Sequence, residues 1–363
     1  MEYETIIEKQ LEDMELSEYE ELVNDSIGEA RVFEEVTADE IIDNLINGQP
    51  LFDSDKLLDN LLNLLLMEVK SALFMGCEIL IVCIIIGVLS GVSNSFGKKA
   101  VSTLGSTICV CIIISLCIGS FYQSYNYCQD SMDTMTNAMK ILLPVMIPLL
   151  IATGGVSSGS ILNPVIIGAV TGFNTIMQHV VLPLVFLSAL FVLLNSLTEK
   201  DYVKKLSVFL RRMAIFITGL LITVFTGITA IQGIVTKSAD GILMNTARFS
   251  LDNFVPIVGG FAADSLDMVI SCMGLIKNTL GIMGMIAIAS LLIMPVIKLI
   301  TIALVYKVTA IVAEPIASKN ISDSLNEIGT SAITMSVVLG LGALMFLIFI
   351  TIMMGLGGGS LWK

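Results

Sequence analysis

Apolar residues gather in eight runs along this chain: 72–93, 101–122, 141–158, 161–177, 180–197, 213–235, 279–297 and 331–354. Each is close to the ~20 residues a helix needs to cross a bilayer. The predicted fold class is therefore all-α, a polytopic α-helical membrane protein of about eight crossings. A further apolar stretch, 299–314, carries Lys307; it crosses, re-enters or lies flat. The polar stretch 123–140 reads as a connection, and so does the pair Gln178–His179.

Two stretches cannot be straight helices on their pattern. Residues 142–164, LLPVMIPLLIATGGVSSGSILNP, hold Pro144, Pro148, Gly154, Gly155, Gly159 and Pro164. Proline removes a backbone donor and crowds the preceding turn. Lipid offers the freed carbonyls no partner, so broken backbone at membrane depth has to be sheltered by protein or line a wet cavity. Residues 254–261, FVPIVGGF, repeat the pattern with Pro256, Gly259 and Gly260. One or two of these segments are expected to be broken or re-entrant, and the two to meet inside the domain. The plainer alternative makes them loops between short spans.

Residues 1–70 follow a different pattern. Leu11, Met14, Leu22 and Val23 recur at roughly helical spacing, and Thr37 with Glu40 fits a capping box. Leucines from Leu57 to Leu65 predict a helix that could lie along a membrane surface. The division expected is 1–70, a small acidic and mainly helical region, followed by 71–363, the multi-span domain.

Charge sharpens that division. Residues 1–70 hold 20 Asp/Glu against 4 Lys/Arg, whereas the whole chain has 32 and 19. Basic loops stay on the cytoplasmic side. Placing Lys98, Lys99 and the loop 198–212 there puts residues 1–70 outside. Residues 1–36 lack the basic start and apolar core of an export signal, so this placement implies a signal removed from the chain. The acidic face, with Glu18, Glu20, Glu21 and Asp25, is either plain solvated surface or a docking face for a partner.

Candidate chemistry is sparse. One His, no Cys/His spacing suited to zinc and seven cysteines mostly within apolar runs give no metal site; those cysteines act as small apolar residues. No phosphate-binding loop or catalytic triad occurs, no cofactor is implied, and no Lys/Arg cluster with interleaved aromatics suggests nucleic acid. The sequence points away from an enzyme. An ionisable group within a span costs ~2.5–3.5 kcal/mol on insertion scales, which singles out Glu78 as either an interhelical carboxylate or part of a transport path. Broken half-helices hold ions or anionic groups in many transporters. The channel or transport candidates are thus Pro144, Pro148, Gly154, Gly155, Asn163, Pro164, Pro256, Gly259, Gly260 and Glu78, with a small molecule or ion as the possible substrate.

Three stretches carry a resemblance: QLEDMELSEYEEL, the long segment from ITAIQGIVTKSADGILMNTARFSLDNFVPIVGGF to NTLGIMGMI, and TAIVAEPIASKNISDSL. Together they resemble the stage III sporulation protein AE family. That resemblance implies a multi-pass protein of the mother-cell membrane surrounding the forespore, with residues 1–70 in the intermembrane space. Its expected partners are the lipid bilayer and the other subunits of the channel complex linking the two cells. The implied role is a conduit or permease-like component; the alternative is a non-conducting scaffold that anchors ring-forming partners.

Overall fold

The computed structural model describes residues 17–30, 32, 37–46, 49, 54–96, 99–155, 168–197, 203–254, 259–317 and 319–356. Every regular element among them is a helix. Two short ones, α1 (Ser17–Ala30) and α2 (Ala38–Ile46), precede six long ones. These are α3 (Ser54–Phe96), α4 (Lys99–Ala152), α5 (Gly168–Asn195), α6 (Lys204–Phe254), α7 (Gly259–Ala313) and α8 (Lys319–Gly355). All six are long and apolar enough to cross a bilayer.

Among the described residues there are six candidate spans where eight apolar runs were counted, and two mergers account for the difference. The runs 101–122 and 141–158 share the single helix α4. The polar stretch between them contains neither Gly nor Pro, and its Cys128, Met132, Met135 and Met139 form one wholly buried stripe at helical spacing. The other merger is in α5, where a π-helical turn at Met177–Val181 carries the chain through Gln178 and His179. Gln178 is buried there, donating to Asp133 Oδ1 at 2.7 Å and to the Gln129 carbonyl at 3.5 Å. A polar side chain so satisfied costs little to bury, so it does not end the helix.

The proline-containing stretch is a correction as well. Pro144 and Pro148 both lie inside α4, and the helix stops only at Thr153–Gly155. Pro295 is likewise inside α7, which takes up both 279–297 and the ambiguous 299–314. The second proline–glycine stretch, 254–261, includes Pro256, which lies outside the described residues.

Helix α7 is the spine. Against α4 it runs antiparallel in one register: Lys298 Nζ sits 4.3 Å from the Tyr127 ring centre, Gly284 faces Leu142, Gly281 faces Met146 and Gly274 faces Thr153. Against α8 it is also antiparallel. Ser322 Oγ donates to the Ala310 carbonyl at 2.9 Å, and the buried Lys277 ammonium donates to the Leu356 carbonyl just past the end of α8. Glycines set the closest approaches: a Cβ on Gly329 would stand 3.0 Å from the Ala303 carbonyl oxygen, and one on Gly76 of α3 would stand 2.7 Å from Val305.

The acidic lead-in packs against this spine. Tyr19, Val23 and Ile27, one face of α1, are buried in the same core as α4 and α7. The Thr37–Glu40 capping box forms, with the Thr37 N–H donating to Glu40 Oε2 at 3.3 Å and the Glu40 N–H to Thr37 Oγ1 at 3.4 Å. Helix α3 runs unbroken through residue 70, so the expected surface-lying leucine helix and the first span are one element. Its Leu58, Leu62 and Leu66 are exposed.

Candidate functional site

Proline at positions i and i+4 of a helix places both rings on one face. Lacking N–H groups, Pro144 and Pro148 leave the carbonyls of Lys140 and Pro144 without their helical donors. That face lines a groove of about 410 Å³ between α4 and the first turn of α5. Met139, Leu143 and Ile147 give it an apolar body, while Thr136, Lys140 and Thr171 give it a polar rim. Lys140 is exposed, and its ammonium donates to Asn137 Oδ1 at 3.2 Å. The groove therefore sets a cation and two backbone acceptors beside an apolar surface.

One turn further on, α4 ends tightly. The Gly155 N–H donates to the Leu150 carbonyl at 2.9 Å, Thr153 Oγ1 donates to the same oxygen at 2.9 Å, and Gly154 has φ 87°. This is a left-handed helix stop, where glycine avoids the Cβ penalty. A Cβ on Gly155 would stand 2.7 Å from the Leu150 carbonyl oxygen. These two glycines thus have a local structural reason to be glycine.

Thr153 faces Gly274, whereas Gly260 lies 14 residues earlier on α7, about 21 Å along the helix axis. Asn163 and Pro164, like Pro256, lie outside the described residues. Glu78 is half-buried on α3, two positions from the close contact at Gly76 and remote in sequence from the groove. Glu18, Glu21 and Asp25 are exposed on α1 and Glu20 is half-buried, across the helix from Tyr19 and Val23.

Several polar anchors had only faint sequence signals. Arg211 pairs with Glu327 at 2.6 Å and Lys204 with Asp323 at 3.4 Å, fastening α6 to α8. The seven-residue step from Lys204 to Arg211 and the four-residue step from Asp323 to Glu327 both place like charges on one helix face. Tyr19 inserts its hydroxyl at Gly284, and burial drives its pKa well above the ordinary tyrosine value, so it remains a donor.

With this geometry in place, comparison with known proteins is informative. A family model described as Stage III sporulation protein AE matches residues 36–357. A curated relative from Bacillus subtilis (strain 168), "Stage III sporulation protein AE", is 32% identical over 315 residues, covering 86% of this chain and 78% of its own length. No solved structure matches. The matched description is that of a sporulation protein, and α1 precedes the matched residues.

Proposed function

We propose, for a chain that belongs to the stage III sporulation protein AE family, a role as membrane-embedded subunit of a sporulation channel complex joining mother cell and forespore. In this reading it is a multi-pass protein of the mother-cell membrane with residues 1–70 on the intermembrane side. It contributes a conduit or permease-like element for a small molecule or ion. The observation that carries the reading is the groove over Pro144 and Pro148, where undonated carbonyls and Lys140 adjoin an apolar wall. Such a surface suits transient contact with a polar solute better than tight storage, because each polar contact is single and exposed.

The test fills the groove and leaves the core alone. Thr171 is exposed and on the rim, so Thr171→Trp should block the groove with little cost to folding. Sporulation should fall while membrane abundance and partner recovery stay normal. Full sporulation at normal abundance would overturn the conduit reading.

A second reading, a non-conducting scaffold, is favoured by α1. Its buried face anchors it to α7 while Glu18, Glu21 and Asp25 are left outward-facing. Neutralising Glu18, Glu20, Glu21 and Asp25 together should then reduce co-purification of partner subunits at low salt, where exposed charges are least screened. Unchanged recovery leaves those carboxylates as solvated surface.

A further inference from the structure

The first three turns of α6 sort their cations by direction. Lys204 and Arg211 turn inward to Asp323 and Glu327 of α8. Lys205 and Arg212, one residue on from each, make no ion pair with any described residue. They line a cavity of about 450 Å³ together with Lys204, Val208 and Phe209. Positions 205, 209, 212, 216 and 220 form one stripe at helical spacing, so the cations lead into Phe209, Phe216 and Leu220, which are 57%, 62% and 49% exposed.

This stripe opens the candidate span Lys204–Ile231, which places its charged end at a membrane–water boundary and its apolar end in hydrocarbon. Helical side chains lean toward the N-terminus, so Arg212 reaches back toward Lys205. The arrangement is cationic at one end and aromatic–aliphatic for the next two turns. It complements one class of amphiphile in both charge and polarity. We infer that Lys205, Phe209 and Arg212 form a site for an anionic phospholipid. The phosphate lies between the two cations and an acyl chain lies along Phe216 and Leu220.

The charge asymmetry within α6 and α8 makes the site selective. Arg211 is neutralised by Glu327 in a mostly buried pair, and Lys204, which also borders the cavity, is partly offset by Asp323. The two outward cations remain to attract an anionic headgroup. A zwitterionic lipid gains no net charge attraction there, and a free phosphate gains nothing from the phenylalanines.

The experiment uses the full chain, purified in a neutral detergent and titrated separately with phosphatidylglycerol, phosphatidylcholine and inorganic phosphate. Binding is read by native mass spectrometry and by thermal shift. Wild type should retain phosphatidylglycerol in preference to phosphatidylcholine, with weak response to phosphate. At about 1 kcal/mol per basic residue, Lys205→Gln/Arg212→Gln should weaken phosphatidylglycerol binding about thirtyfold and leave phosphatidylcholine unchanged. Lys319→Gln, at the exposed start of α8, should match wild type. Lys205→Arg/Arg212→Lys should retain binding, which separates charge from folding. Equal retention of the two lipids by wild type, an unchanged double variant, or phosphate binding as tight as the lipid would each overturn the assignment.

Discussion

The hydroxyl of Tyr19 donates to the carbonyl oxygen of Leu280 at 2.5 Å, tying the first described helix to the spine across 261 positions. Gly284 makes room for it: a Cβ there would stand 3.1 Å from the Tyr19 oxygen and 2.8 Å from Leu142 Cδ1. Gly284→Ala should therefore loosen α1, with overpacking of ~1–3 kcal/mol partly offset by up to ~1 kcal/mol of better helix propensity. Tyr19→Phe should cost about 1 kcal/mol, because it removes one hydrogen bond and keeps the ring. Limited proteolysis of the full chain near residue 30 reads both. Equal resistance of Gly284→Ala and wild type would show that α1 is not held at this point.

Pro144 and Pro148 offer a way to pull stability and function apart. Since α4 continues through both, Pro144→Ala and Pro148→Ala each restore a donor for a helical carbonyl. Each should stabilise the chain, by up to ~3 kcal/mol less the entropy that proline removes from the unfolded state. If the groove serves a solute, the same variants should lower sporulation as its free acceptors disappear. Thermal unfolding in detergent and spore yield, measured on the same strains, report the two effects. A destabilised Pro148→Ala protein would mean that the ring packs better than it disrupts.

Gly155 is expected to behave as a structural residue. Its Cβ position lies 2.7 Å from a backbone oxygen, and backbone cannot step aside as a flexible side chain can. Gly155→Leu should lower the amount of protein in the membrane, and any loss of sporulation should follow abundance. Lost sporulation at unchanged abundance would restore a direct role for this glycine.

The two ion pairs between α6 and α8 should differ in strength. Arg211 and Glu327 are 13% and 25% exposed at 2.6 Å; Lys204 and Asp323 are 39% and 46% exposed at 3.4 Å. Screening by water holds exposed pairs to ~0.2–1 kcal/mol. A double-mutant cycle should give Lys204–Asp323 a coupling at the low end of that range and Arg211–Glu327 a larger one, less sensitive to salt. Equal couplings at both pairs would mean that burial is not what distinguishes them.

Much of this architecture was legible in the sequence, but hydropathy alone could not say what covers an apolar surface. On α4, Leu104, Ile108 and Ile112 are 68%, 61% and 45% exposed, as lipid-facing residues are. Leu142, Met146, Leu149 and Leu150 on the same helix are at most 3% exposed and packed by protein. Both stretches read alike as spans, so hydropathy counts two runs where the structure has one helix. The prolines misled in a related way: they forbid particular hydrogen bonds, not the helix, and its stop falls instead where Gly154 turns left-handed. The Thr37–Glu40 cap was readable because it depends on residues close together in sequence. The insertion of Tyr19 at Gly284 was not, since a tyrosine in an acidic stretch carries no mark of a distant glycine.

The single register between α4 and α7 has a mechanical consequence. From Tyr127 opposite Lys298 to Thr153 opposite Gly274, the facing positions keep step over 26 residues of α4, about 39 Å of rise. Two rods keyed together at intervals over such a length resist bending and sliding. The bilayer's apolar layer is ~30 Å thick and α4 is about 81 Å long, so one end of the pair always stands clear of lipid. A crossing helix of that length carries its packed partner's surface out of the apolar layer and into reach of water.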